Sequence, residues 1–154
     1  MKKLILLLGL ASSLSSQDIH YFVASYSSTL AATTDTITIQ APTGMQKDVH
    51  FVSAWIYCSA ACSFTINRNG AAATTTSFSP NGLNDSYAPQ ATAFKASNVG
   101  AGTQIGQPYQ IVSAGTYSLD LSKFILTRGA NSNLSISIAS FTGTWIPSIQ
   151  WSEQ

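Results

Sequence analysis

A chain of 154 residues is most simply one domain, long enough to bury a real core. It is 45% hydrophobic but only 8% charged, with a formal net charge of +1, against roughly 25% charged in an ordinary soluble domain. No basic stripe is present, which removes the electrostatic source of nucleic-acid binding, and the Ser, Thr, Asn and Gln that replace charge suit an extracellular or assembled protein.

The N-terminus reads as a targeting segment. Lys2 and Lys3 precede a short apolar run, Leu4 to Ala11, and small residues follow up to Ser16. A signal peptidase could cut there. The run is too short to span a bilayer. The competing reading is an uncleaved apolar arm, residues 1–16, of the kind virion and fibre subunits use. Residues 17–154 then form a single domain.

Beyond it the chain reads as β almost throughout. Asp18-Ile19-His20 is echoed by Asp48-Val49-His50. Residues two apart on a strand share a face, so two paired strands could converge Asp18, His20, Asp48 and His50 on a divalent metal. The bland reading is two strand starts, and no metal or other cofactor is expected. Thr36 to Gln40 alternates with β-branched residues, as a half-buried strand does. Val49 to Tyr57 is apolar on both faces, as a strand buried on both sides would be, and this places Trp55 in the core.

Both cysteines sit in WIYCSAACSF. On one straight strand Cys58 and Cys62 would lie about 13 Å apart, whereas a disulfide needs Cα atoms within about 7 Å. A hairpin with Ser59, Ala60 and Ala61 as its loop would bring them together. The pair reads as a staple made in an oxidising compartment, with two free thiols as the alternative. Ser63 to Asn67 alternates again and runs into Asn69-Gly70, a hairpin-turn dipeptide. Residues 71 to 89 read as a short strand and a long surface loop, whose Asn84, Asp85 and Tyr87 have the composition of a recognition loop.

Tyr117 to Leu121 and Leu134 to Ile138 read as strands with one wet face. In the last segment, Thr144 to Trp151, Trp145, Pro147, Ile149 and Trp151 share a face. Pro147 lacks a donor, which predicts an edge strand or a bulge. Trp145 and Trp151 are the aromatic candidates for a partner or sugar surface, with core packing as the competing fate.

Eight or nine short antiparallel strands with no helical period predict an all-β fold, a single β-sandwich of jelly-roll type. An immunoglobulin-like sandwich is the runner-up, without its long-range cysteine pair. No nucleophile elbow, phosphate loop or zinc-protease motif is present, so the reading is non-enzymatic.

The strings YCSAAC, RNG, ATAFKASNVGAGT, YSLDLSKFIL and NLSISIASFTGTWIPSIQW, across roughly residues 30 to 153, resemble those of small uncharacterised β-proteins of phages, prophages and bacteria. That resemblance implies a jelly-roll subunit assembling on a virion surface or in an extracellular fibre. The expected function is therefore structural, with copies of the chain or other subunits as partners. The alternative is a secreted module binding carbohydrate or a cell surface.

Overall fold

The computed structural model describes residues 18–69, 72–84, 86–99 and 102–154, with side chains at 72–75 and 96–99 left undescribed. The expected leader or arm, residues 1–16, lies outside the described residues. The described chain is all-β and antiparallel. Its strands are β1 (His20–Ser25), β2 (Ser28–Ala41), β3 (Val49–Cys58), β4 (Cys62–Arg68), β5 (Ala72–Phe78) and β6 (Asn81–Gly82), then β7 (Thr92–Val99), β8 (Thr103–Ile111), β9 (Gly115–Asp120), β10 (Ile125–Leu126) and β11 (Ser132–Glu153). All eleven belong to one hydrogen-bonded network, which curls on itself.

The spine of this sheet is β11, 22 residues long. The two expected strands 134–138 and 144–151 are parts of it, joined without a turn through Thr142-Gly143. On one side β11 pairs with β2 along residues 132–145 and with β1 along 148–153. On the other it pairs with β4 along 134–138 and with β3 along 145–153. Each flank is thus one line of chain, interrupted at residues 26–27 on one side and 59–61 on the other. Outward from the spine, β7 and β5 follow β2, β8 follows β4, β6 follows β1, and β9 and β10 follow β3.

This arrangement corrects two expectations. Cys58 and Cys62 are joined, with Cα atoms 6.5 Å apart, but they do not face each other across a hairpin. β3 and β4 run in the same direction along β11, and the bridge staples a jog between them. Ser59 seats that jog: its N–H donates to the Thr144 carbonyl at 2.8 Å, and its hydroxyl accepts from the Thr144 N–H at 2.8 Å. Nor does Pro147 mark an edge. It lies where β2 hands over to β1, and its carbonyl takes the Tyr26 N–H at 3.4 Å. The missing donor therefore faces an interruption in the neighbouring strand, where no ladder bond is lost.

Bulges decide which residues enter the core. Leu134, Ile136 and Ile138 point inward; after a register shift around Ser140 (φ 52°), the odd positions Phe141, Trp145, Ile149 and Trp151 do. β2 compensates with Ala32 in the left-handed region (φ 55°). One buried cluster joins both halves of the sheet, including Phe22, Ile37, Ile39, Phe51, Ile56, Phe64 and both β11 tryptophans. The expected wet face of β2 and of residues 134–138 is dry as well. Thr36, Thr38, Ser135 and Ser137 are buried; Thr36 Oγ1 donates to Ser137 Oγ at 3.2 Å, and the Asn67 amide reaches Ser137 at 3.3 Å. Small hydroxyl residues between flanking strands thus satisfy one another out of water.

Replacing both cysteines by alanine is expected to lower stability by about 2 kcal/mol, the chain-entropy value for so short a loop, read as a lower urea midpoint at unchanged slope. Gly143→Ala is expected to destabilise by about 1–3 kcal/mol. Gly143 holds φ 137°, and an added Cβ would sit 2.6 Å from Ser59 Oγ and 3.0 Å from Phe141 Cζ. A Ser59→Gly background should recover part of that loss, and strictly additive effects would show that the jog is not seated there.

Candidate binding face

The sequence-predicted site residues fall into three groups. Trp145 and Trp151 are fully buried. They do share a face, as the alternation indicated, but it is the core face. Each indole N–H is spent on a buried carboxylate: Trp145 Nε1 donates to Asp35 Oδ2 at 2.9 Å, and Trp151 Nε1 to Glu153 Oε1 at 3.4 Å. Neither can meet a partner or a sugar.

The loop is tied down by hydrogen bonds, although residues 81–84 and Ser86 stay exposed. Asn84 brackets the start of β1, accepting from the Tyr21 N–H and donating to the Ile19 carbonyl, both at 3.0 Å. Tyr87 stacks on His20 at 3.9 Å with rings 7° from parallel, beneath the Lys47 ammonium at 5.0 Å. Its hydroxyl accepts from the Gln90 amide at 2.9 Å. The buried Glu153 carboxylate gathers the Gln90 and Ala91 N–H groups, each at 2.9 Å from one oxygen. Asp85 lies outside the described residues. The loop's polar groups therefore act as a clasp on the sheet's end.

Asp18, His20, Asp48 and His50 do not form a metal centre. β1 and β3 do not pair, because β11 runs between them, with Glu153 opposite both His20 and Val49. Asp48 Oδ1 accepts the Arg128 N–H at 2.7 Å. Among the described residues no three His, Cys, Asp or Glu side chains gather closely enough to hold a metal.

The aromatic face lies elsewhere. β3 carries a register shift where Val52 bulges between Phe51 and Ser53, against Gln150 and Trp151. Ahead of it Val49 and Phe51 point inward; beyond it Ala54, Ile56 and Cys58 do. The switch makes the strand look apolar on both sides, yet it turns Trp55 and Tyr57 out, 39% and 36% exposed. Trp55, placed in the core by sequence, is thus on the surface. The signal that could have found it is Cys58: a staple pointing inward forces positions 57 and 55 outward.

Register defines the surroundings. Across the sheet, Ser25, Ser148, Trp55 and Ser118 form one row. Ile146, Tyr57 and Thr116 form the next, and Val23, Gln150, Ser53 and Asp120 the one before. Trp55 is therefore flanked by hydroxyls on both sides and Tyr57 on one, each a strand spacing away, about 4.8 Å. Asp120 is the single charge on this grid, and a hydrogen bond with Ser122 holds its carboxyl below its ordinary value. Set against family models, curated proteins and solved structures, the chain matches none of them.

Trp145→Phe is expected to cost about 1–3 kcal/mol by leaving a buried carboxylate short of a donor, whereas Trp55→Ala should change stability far less; equal losses in denaturant titrations would contradict the assignment of inner and outer tryptophans. Tyr26 packs edge-on to Trp145 with its hydroxyl buried. Burial pushes this phenol well above its ordinary value, and the neighbouring Asp35 carboxylate pushes the same way. The unfolded chain loses this proton above about pH 10 while the folded protein keeps it, so stability falls as pH rises past that value. Tyr26→Phe is expected to flatten this alkaline slope, and identical slopes in the two proteins would refute the buried phenol's part in it.

Proposed function

We propose that the chain is a non-enzymatic structural subunit that associates with its own copies, of the kind that builds a virion surface or an extracellular fibre. The observation that carries this reading is the edge of the sheet at β5. Among the described residues β5 pairs with β7 alone, and its sequence, AATTTSF, has neither a charge nor a proline. Monomeric β-proteins blunt such edges with lysine, proline or bulges. The opposite edge is blunted in this way: β8 carries Gly106 and Pro108 beside a register shift against β4. The irregularities of β5 lie at its start, leaving Thr75–Phe78 in unbroken pairing. An open, uncharged edge is a template for a strand from another copy, and a closed symmetric contact would satisfy it.

In this reading the two halves of the curled sheet serve as the two layers of a jelly-roll-type sandwich. The Cys58–Cys62 bridge fits an oxidising compartment, hence a secreted or virion-surface location. The low charge fits a molecule whose surface is partly covered by neighbours. A carbohydrate- or cell-surface-binding role draws on the Trp55–Tyr57 face instead.

Light scattering coupled to gel filtration at micromolar concentration is expected to show an oligomer. Thr76→Lys, on the exposed β5 edge, is expected to yield monomer with a melting temperature within a few degrees of the parent. A monomeric parent protein would sink the reading.

A further inference from the structure

The outer face of β3, β9 and β11 has a composition that selects among occupants. Its apolar part is Trp55, Tyr57 and Ile146, at 39%, 36% and 36% exposure, which together offer on the order of 200 Å². A stable protein interface needs about 800 Å² from each partner. This cluster alone is too small for a second copy; its own rows are otherwise mostly hydroxyl-bearing, and the exposed Tyr21 and Ile125 of the same face stand beyond the row of Gln150, Ser53 and Asp120. A nucleic acid would find no cation on the grid, only Asp120, and its phosphates would be repelled.

We infer that this face binds a neutral saccharide chain, with Trp55 and Tyr57 as stacking platforms and Ser118, Thr116, Ser148 and Gln150 as hydrogen-bond partners. A sugar ring has an apolar C–H face, which lies on an aromatic ring, and equatorial hydroxyls that need donors and acceptors at its rim. The grid supplies both. Trp55 and Tyr57 are two positions apart on one strand, so their rings project from points about 6.6 Å apart and can carry successive sugar units along β3. Ser118 stands across from Trp55 on one side and Ser148 on the other; Thr116 stands beside Tyr57. Gln150 already shares a 3.4 Å hydrogen bond with Ser53 and keeps its amide N–H₂ for a ligand oxygen. The grid carries no cation to attract uronic or sulfated chains, and its one carboxylate, Asp120, already has Lys123 nearby. This site is separate from the β5 edge, so it stands whether or not the chain self-associates.

Affinity electrophoresis through gels containing β-glucan, mannan, galactomannan or starch, with heparin as the anionic control, tests the inference on the intact protein. Retardation is expected on at least one neutral polysaccharide and none on heparin. Trp55→Ala and Tyr57→Ser should each weaken that retardation roughly tenfold or more while the cooperative urea unfolding transition is retained. A second readout does not depend on variants. Trp145 and Trp151 are buried, so acrylamide quenching reports mainly Trp55, and oligosaccharides of the retarding polymer should protect it. No retardation by any neutral polysaccharide, or retardation that survives both substitutions, would overturn the inference. So would conversion of an oligomer to monomer by Trp55→Ala without saccharide binding, which would make the face a subunit contact.

Discussion

The structure depends on fitting one very long strand into a small molecule. Twenty-two residues of straight strand would measure about 70 Å, whereas a chain of this length packs to a radius of gyration near 15 Å. β11 must therefore bend, and it does so between Ile138 and Thr144. The left-handed residue Ser140, the shift from even to odd inward positions and the constricted Gly143 are local consequences. The two flanking lines answer the bend differently: β2 follows it through the Ala32 bulge and opens only beyond it, at Tyr26–Ser27, whereas the other line opens at the bend itself, at Ser59–Ala61. The disulfide closes one opening, and the Pro147 carbonyl partners the other.

The two buried carboxylates fit the same scheme. Asp35 enters the core by the same alternation that turns Ile37 and Ile39 inward, opposite Ile138. A buried carboxylate is costly without donors, and it finds them in the Trp145 indole and the Thr36 N–H. Glu153 solves the matching problem at the far end of β11, where the donors come from the loop at Gln90 and Ala91. One carboxylate therefore fixes the bend, and the other fixes the loop to the end of the spine. Both are held by N–H groups of the fold, from Thr36 and Trp145 at one and from Gln90, Ala91 and Trp151 at the other.

Composition and alternation made the all-β class and most strand positions legible. What they could not carry was continuity. Residues 134–138 and 144–151 each alternate, but with opposite parity, and a reader of period two sees two strands where a bulge joins one. The same fault hid Trp55: Val49 to Tyr57 appears apolar on both faces because the Val52 bulge splices two half-strands of opposite phase. The cysteine spacing correctly demanded a departure from straight strand, but a hairpin and a jog both satisfy the distance, and only the partner strand β11 distinguishes them. Trp145 and Trp151 were grouped rightly on one face, with core packing and a partner surface both left open, since nothing local says which face a neighbouring layer will cover.

The division of the three tryptophans follows from where hydrogen-bond acceptors are buried. An indole N–H taken out of water needs a partner, and Asp35 and Glu153 provide one each, fixing Trp145 and Trp151 inside. Trp55 sits on a strand whose inward positions are already filled by Ala54, Ile56 and Cys58, so the bulge leaves it no inner place. Ser148 and Ser118 on either side cannot cover a ring of that size, and a third of its surface stays open. Aromatic area left among hydroxyls on the outer side of a curled sheet, with Asp120 the one charge on its rows, is what the saccharide proposal rests on. That physical bias toward neutral, ring-shaped ligands exists even before any partner is known.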